Sequence, residues 1–246
     1  MLHQIWNIAL YKPFVNVLAF LISIIPGGDV GIAIIILTLL VKAVLFPLSQ
    51  RSIESQAKMK ILEPELKKIK NSGATKEEQA KLTMELYKAH KTNPFSGCLL
   101  VLVQLPIIWA LYYVFYKGVK FGDGILYSFV HSPEPVNNFF LGLVDISHKS
   151  LTLAVIAGIS QFFVAYFMPQ PKPSTEPSTG SFQESFAKSM QMQMKYIFPL
   201  LVVFIAYKIS GAIAIYWITS NIFAIGQQLY ANKKNRDELK ALLVVK

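Results

Sequence analysis

Charge is what this chain has least of. Acidic and basic side chains make up 15% of its 246 residues, against a hydrophobic fraction of 53%, where soluble domains carry roughly 25% charge. That excludes an ordinary soluble domain and describes an integral membrane protein, with room for about five spans plus loops. Cysteine is nearly missing too. The single thiol, Cys98, excludes a disulfide framework within the chain and offers no metal-ligand spacing. The opening MLHQIWNIALYKPF lacks the basic, apolar and small-residue regions of a cleavable signal peptide. It is not Arg- and Ser-rich like a transit peptide either, which points to a bacterial source. No GxxxxGK[ST], HExxH or GxSxG motif occurs, so neither nucleotide hydrolysis nor these hydrolase chemistries are indicated. His3, His90, His131 and His148 are dispersed outside the apolar runs. Those runs contain no Asp or Glu, which argues against a proton- or sodium-coupled carrier.

What is present begins with Val30 to Leu48, VGIAIIILTLLVKAVLFPL. As a helix it is about 28 Å long, close to the hydrocarbon thickness of a bilayer. Lys42 interrupts it. A charge at membrane depth costs roughly 2.5–3.5 kcal/mol on insertion scales, so it faces a polar interior, a partner or water. Two readings stand for Lys42: a groove residue, or a long side chain snorkelling to the nearer interface.

The remaining chain divides by composition. Residues 1–29 are an N-terminal extracytoplasmic segment. Phe14 to Ile25 is apolar but too short to span, and Pro26-Gly27-Gly28-Asp29 breaks it, so Ile8–Ile25 reads as an interfacial helix with Trp6 and Tyr11 as anchors. Residues 30–48 are the first span. Residues 49–96 read as a cytosolic helical hairpin. Met59, Leu62, Leu66 and Ile69 form a helical stripe, Asn71-Ser72-Gly73 a turn, and Thr75 with Glu78 a capping box. Residues 97–232 hold the second to fifth spans, about Gly97–Tyr116, Leu151–Met168, Tyr196–Ile209 and Ala212–Tyr230. An outer loop (117–150) and a Pro/Ser/Thr-rich cytosolic loop (169–190) separate them. The fourth span is short unless its helix begins near Met190. Residues 233–246 are a basic tail. Gln50–Thr92 and the tail hold ten and five Lys or Arg, the outer loop three. By the positive-inside rule the hairpin and C-terminus are cytosolic and, with five spans, the N-terminus is outside. Gln104, Gln161, Thr219, Ser220 and Asn221 supply uncharged polarity within the spans; each can be helix–helix glue or a functional group.

Four motifs then occur in order. Asn93-Pro94-Phe95-Ser96-Gly97-Cys98-Leu99, with Gln104-Leu105-Pro106 and Ala110-Leu111-Tyr112, is similar to the NPxxGC…QxP…ALY signature of the YidC/Oxa/Alb membrane protein insertases. Lys195-Tyr196-Ile197-Phe198-Pro199 resembles that family's KYMFP element. Tyr216-Trp217, Ser220-Asn221 and Gln227-Gln228 resemble its last-span YW..SN…QQ. Ala57-Lys58-Met59-Lys60 to Pro64 resembles its AKM…L.P stretch. The resemblance runs from about residue 8 to 234. Lys42 falls where the family has an arginine before a Pro-Leu; the charge is kept and the planar bidentate donor is lost. No Pro precedes the last span in Lys208-Ile209-Ser210-Gly211. Neither an additional N-terminal span nor a large extracytoplasmic domain is expected, and the tail is shorter than the family's long ribosome-binding extensions.

The resemblance implies an all-α membrane protein with five transmembrane helices around a hydrophilic groove open to cytosol and lipid, plus the interfacial helix and hairpin. It implies an insertase and chaperone of nascent membrane proteins in a bacterial plasma membrane, not an enzyme, working without ATP or cofactor. The implied groove residues are Lys42, Gln104, Gln193, Trp217 and Asn221. Lys42 would draw in acidic groups of the substrate, whose apolar segment leaves sideways into lipid along the second and fourth spans. Implied partners are nascent membrane proteins, the lipid bilayer, the ribosome through the tail and hairpin, the Sec translocon and the signal-recognition-particle receptor. A small-solute transporter or channel would need a polar path through the whole membrane. A non-catalytic assembly scaffold would not need Lys42.

Overall fold

The computed structural model describes residues 4, 6–93, 96–116, 121, 124–168 and 192–244. The cytosolic loop expected over 169–190 lies outside the described residues. So do Pro94 and Phe95 of the signature, Lys117 and Lys120 of the outer loop, and the tail's side chains beyond Lys233.

Apolar runs with few competing side-chain donors form helices. Helix α1, Asn7–Ile24, starts as a π turn over Asn7–Tyr11 and continues as α-helix. Its buried face repeats at helical spacing, Val15, Leu18, Ala19 and Ile22, while Phe20 and Ile24 point outward. Counted from Phe14 the stretch is too short to span. The π turn lengthens it to 18 residues, so by length and composition alone α1 can cross a bilayer, as Val30–Met59 can.

Helix α2, Val30–Ile61, continues past Leu48, where the first span is expected to end. Its 32 residues run through Pro47 and into the hairpin without a break. Helix α3 (Glu63–Lys70) and α4 (Lys76–Ala89) complete the hairpin. At Thr75 the hydroxyl accepts from the Glu78 N–H (3.3 Å) and the Thr75 N–H donates to the Glu78 carboxylate (3.1 Å), the reciprocal cap read from the sequence. Helix α5 is Ser96–Tyr116, with Pro106 inside it. Two short antiparallel strands, β1 (Phe139–Phe140) and β2 (Val144–Asp145), precede α6, Leu151–Phe167. A π turn at Gln193–Ile197 leads into α7, Phe198–Ile209, so the helical path before Ile209 begins ahead of Tyr196. Helix α8, Gly211–Val244, continues past Tyr230 into the basic tail as one helix of 34 residues.

The chain forms two compact units. The first comprises Met1–Val44, Val103–Tyr166 and Gln193–Ile225. Its apolar core joins Ala154 and Ala157 of α6, Val202 and Ala206 of α7, and Ile213, Ala214 and Trp217 of α8. Small residues let these helices approach closely: a Cβ on Gly158 would lie 2.2 Å from a Val203 methyl.

The long loop before α6 ties the middle of α1 and the starts of α2 and α8. The Asn16 amide of α1, 3% exposed, donates to the Ile125 carbonyl (3.1 Å) and accepts from the Tyr127 N–H (2.6 Å). Asp29 caps α2, accepting from the Ile32 N–H (3.0 Å), while its second oxygen accepts from Leu141 (2.8 Å). The Val30 N–H donates to Asn137 (2.9 Å). At α8 the Gly211 and Ala212 N–H groups donate to the His148 and Ile146 carbonyls (2.9 and 3.0 Å). These are the donors that a helix start leaves orphaned.

The second unit comprises Leu45–Leu102, Phe167–Met192 and Gly226–Lys246. Ser49 donates to the Gln227 Oε1 (2.9 Å), and Gln227 donates to the Phe46 carbonyl (3.3 Å) and to Gln50 (3.4 Å). Ser55 and Asn93 exchange hydroxyl and backbone hydrogen bonds (3.2 and 3.0 Å) and fix the hairpin's return. The exposed contact of His90 with Glu65 (3.9 Å) adds little.

Two outcomes follow. Gly28 has φ +63, and a Cβ there would meet the Pro135 carbonyl oxygen at 1.9 Å; Gly73, φ +73, has open space around it. Gly73→Ala therefore costs only the left-handed backbone penalty, about 1–2 kcal/mol. Gly28→Ala must also displace the loop, and its thermal unfolding midpoint in detergent should fall several degrees further. Asp145 is held below the usual carboxylate range, first by the Ser147 hydroxyl and further by the Ser147 N–H and His148. A folded-state value below the unfolded one contributes stability above the ordinary carboxylate range and loses it as pH falls through the lowered value. Asp145→Asn should flatten that acid limb of the unfolding midpoint.

Candidate functional site

The polar residues of the first unit can be followed helix by helix. On α2 the buried stripe is Val30, Ala33, Ile34, Leu37 and Thr38, while Leu39, Leu40 and Val44 are exposed. Lys42 lies one turn beyond Thr38, so it extends the inward stripe rather than the exposed one. It is half-buried. Thr38 satisfies its own hydroxyl by donating to the Ile34 carbonyl (2.6 Å). Among the described residues the Lys42 ammonium makes neither an ion pair nor a hydrogen bond.

On α5, Gln104 is half-buried and its Nε2 donates to the Tyr216 hydroxyl of α8. Tyr216 is itself 3% exposed. Its neighbour Trp217 carries its ring into the α6–α7–α8 core. One turn on, the Asn221 amide donates to the Ser160 hydroxyl (2.9 Å) and reaches the Ala157 carbonyl (3.5 Å); Ser160 donates to the same carbonyl (2.7 Å). Gln193 is exposed in the π turn before α7. In that turn Lys195 lies over the Tyr166 and Tyr196 rings, 5.9 and 5.5 Å from their centroids.

All five residues implied by the resemblance thus fall in one unit. Hydrogen bonds bring Gln104 to α8 and Asn221 to α6, and Trp217 packs in the α6–α7–α8 core. Tyr216 and Ser160 complete these contacts, and sequence reading had not assigned either a role. The signal for Ser160 was its place beside Ala154, Ala157, Gly158 and Gln161, small and polar residues on the turn pattern of a helix that packs closely. Chemically the arrangement offers hydrogen-bonding groups inside an apolar helix bundle and one cation on an inward face.

Comparison with known proteins agrees with this arrangement. The family model of the 60Kd inner membrane protein matches residues 21–238. A Fusobacterium nucleatum protein named membrane protein insertase YidC is 34% identical over 92% of this chain and 98% of its own length. A Clostridium tetani protein of that name is 31% identical, over 92% and 93% respectively. A Rickettsia massiliae YidC is 32% identical over 94% of this chain, which spans only 40% of that relative. The fold is that of a solved structure described as an active YidC insertase with its first transmembrane domain resolved. The TM-score is 0.56 at 21% identity, over 90% of this chain and 46% of that one. The chain belongs to the YidC/Oxa/Alb family of membrane protein insertases.

The Asn221–Ser160 contact can be weighed directly. Polar contacts between membrane helices average about 0.6 kcal/mol in double-mutant cycles and reach about 1.7 kcal/mol. An Asn221→Ala and Ser160→Ala cycle, read by unfolding in mixed micelles, should return a coupling in that range. The single Asn221→Ala variant should still fold, because Ser160 keeps its bond to Ala157.

Proposed function

We propose that this chain inserts nascent membrane proteins into a bacterial plasma membrane and assists their folding. The observation that carries the reading is Lys42, an inward-facing, half-buried cation without a partner among the described residues, in a chain whose near full-length relatives are named insertases.

The physical problem is to move a short polar segment across hydrocarbon, where each unpaired backbone group costs several kcal/mol. A wet groove partway into the bilayer shortens the dry path. In this proposal five helices surround such a groove, which opens to the cytosol and to lipid. Lys42 attracts carboxylates of the substrate through a reduced dielectric. The Gln104 carbonyl oxygen and the Gln193 amide offer hydrogen-bonding partners, Trp217 forms an apolar wall, and Asn221 holds α6 against α8. The substrate's apolar segment then leaves sideways into lipid, and its burial drives the step. The chemistry is non-covalent, so the chain acts as an insertase and chaperone and not as an enzyme, and no ATP or cofactor enters the scheme. The hairpin, α3 and α4, receives the substrate on the cytosolic side, and the basic end of α8 meets ribosomal RNA or anionic lipid. The Sec translocon and the signal-recognition-particle receptor are further proposed partners by family resemblance. The N-terminus lies outside and the C-terminus in the cytosol, a reading supported by the lysine asymmetry.

Reconstitution in liposomes with an in vitro translated small membrane protein tests the activity. Protease protection of the translocated tail distinguishes an insertase from an assembly scaffold. Lys42→Arg should retain activity, and Lys42→Ala should lose roughly tenfold on a substrate with an acidic tail while sparing the same substrate with the tail neutralised. A tenfold loss corresponds to about 1.4 kcal/mol, modest for one charge–charge contact in a partly wet site. Equal activity of Lys42→Ala and the parent on both substrates would reduce Lys42 to a snorkelling anchor. In a Cys98→Ser background, cysteines at Ser72 and Ser128 should label from opposite faces, with Ser72 cytosolic.

A further inference from the structure

The turn between β1 and β2 is apolar, outward-facing and built at some cost. Phe139 is 51% exposed, Leu141 59% and Leu143 80%. From Pro135 to Val144 no residue carries a charge. A three-residue loop joins the strands, with Gly142 donating to Phe139 (3.1 Å) and Leu143 to Phe140 (3.0 Å). Leu141 has φ 53, a left-handed conformation that a branched aliphatic side chain rarely adopts. Its N–H is held by the Asp29 carboxylate, 7% exposed, at 2.8 Å. A strained residue kept in place by a buried carboxylate calls for a reason.

The position of the turn supplies one. Asp29 is the cap of α2, Val30 donates to Asn137, and the Phe140 ring lies where a Cβ on Gly31 would come within 2.3 Å. The turn is therefore fixed beside the first residues of an apolar helix long enough to cross the bilayer. Val30–Leu48 covers about 28 Å, nearly the whole hydrocarbon thickness, so its first turn sits at the boundary between headgroups and acyl chains. An exposed leucine pair at that depth meets lipid. In the same loop Tyr127 and Phe129 are stacked, 5.4 Å between centroids, with Phe129 76% exposed; aromatic rings are enriched at this level of a membrane.

We propose that the β1–β2 turn is a lipid anchor: Phe139, Leu141 and Leu143 insert at the headgroup–acyl boundary of the leaflet on the loop's side. The anchor holds the loop against the membrane. Through Asp29 and the Ile146 and His148 carbonyls, the same loop holds the ends of α2 and α8.

The test uses the full chain with Cys98→Ser, reconstituted in vesicles of phosphatidylcholine and phosphatidylglycerol. A polarity-sensitive fluorophore is attached at Leu143→Cys, at Phe139→Cys and, as a reference, at the exposed Ser132→Cys. The two turn probes should be quenched severalfold more by lipid with a nitroxide near the headgroup than the reference is, and severalfold less by aqueous iodide. Two outcomes overturn the anchor. One is iodide quenching equal to that at Ser132, which means a turn in water. The other is resistance to both quenchers, which means a turn covered by protein, whether a second copy or a partner.

Discussion

A backbone N–H or C=O surrounded by hydrocarbon has no water to fall back on. Most features of this chain follow from where its backbone groups find partners. Within the helices the answer is internal. At the ends it is not, and there the loop before α6 takes over: Asp29 and Asn137 serve the start of α2, Ile146 and His148 the start of α8. Helix α2 also contains a proline. Pro47 cannot donate within the helix. Next to it the Phe46 carbonyl accepts from Ser49 and from the Gln227 amide.

That demand consumes most of the polar side chains at membrane depth. Thr38 folds back on its own helix, Asn221 and Ser160 satisfy each other across a helix pair, and Gln104 is taken by Tyr216. Among the five residues implied by family resemblance, Asn221 and Trp217 are therefore engaged in packing. Lys42 differs in kind. A lysine has three donors and no acceptor, and the apolar runs contain no carboxylate to receive them. Its position on the inward stripe gives the charge a side of the helix but no partner among the described residues. In the proposed mechanism that imbalance is the resource.

How much of this could be read from the sequence depended on whether the signal was local. The capping box at Thr75 and Glu78 and the turn at Gly73 are local, and the structure has them. Pro26-Gly27-Gly28-Asp29 reads locally as a break, and the structure has a single 3-10 turn there between α1 and α2. The aspartate was also a helix cap standing directly before Val30, a signal present in the sequence and passed over. The ends of the expected spans do not coincide with the ends of helices α2 and α8. Composition changes sharply at Ser49 and at Lys233, but a helix obeys its hydrogen-bond ladder rather than the polarity of its surface, so both continue as single helices. The extent expected for α1, Ile8–Ile25, agrees with Asn7–Ile24 to within a residue at each end, although its first turn is a π turn, which has no sequence period of its own. The family motifs gave the candidate site residues. Their pairing partners, Tyr216 and Ser160, are set by which helices touch, and no spacing along one helix contains that.

Asp29 joins these levels. It caps the helix that carries Lys42, and its other oxygen fixes the turn that carries Leu141 and Leu143. A carboxylate can do both because its two oxygens accept independently, and the strong acceptor is matched to two backbone donors that would otherwise be unpaired. An asparagine would present one acceptor oxygen in place of two and could hold the helix or the turn, not both. The apolar turn, the start of the helix and, three turns farther along, the depth of the lysine are therefore one mechanical series. Anything that fixes the turn relative to the membrane also fixes the level at which the Lys42 charge is held.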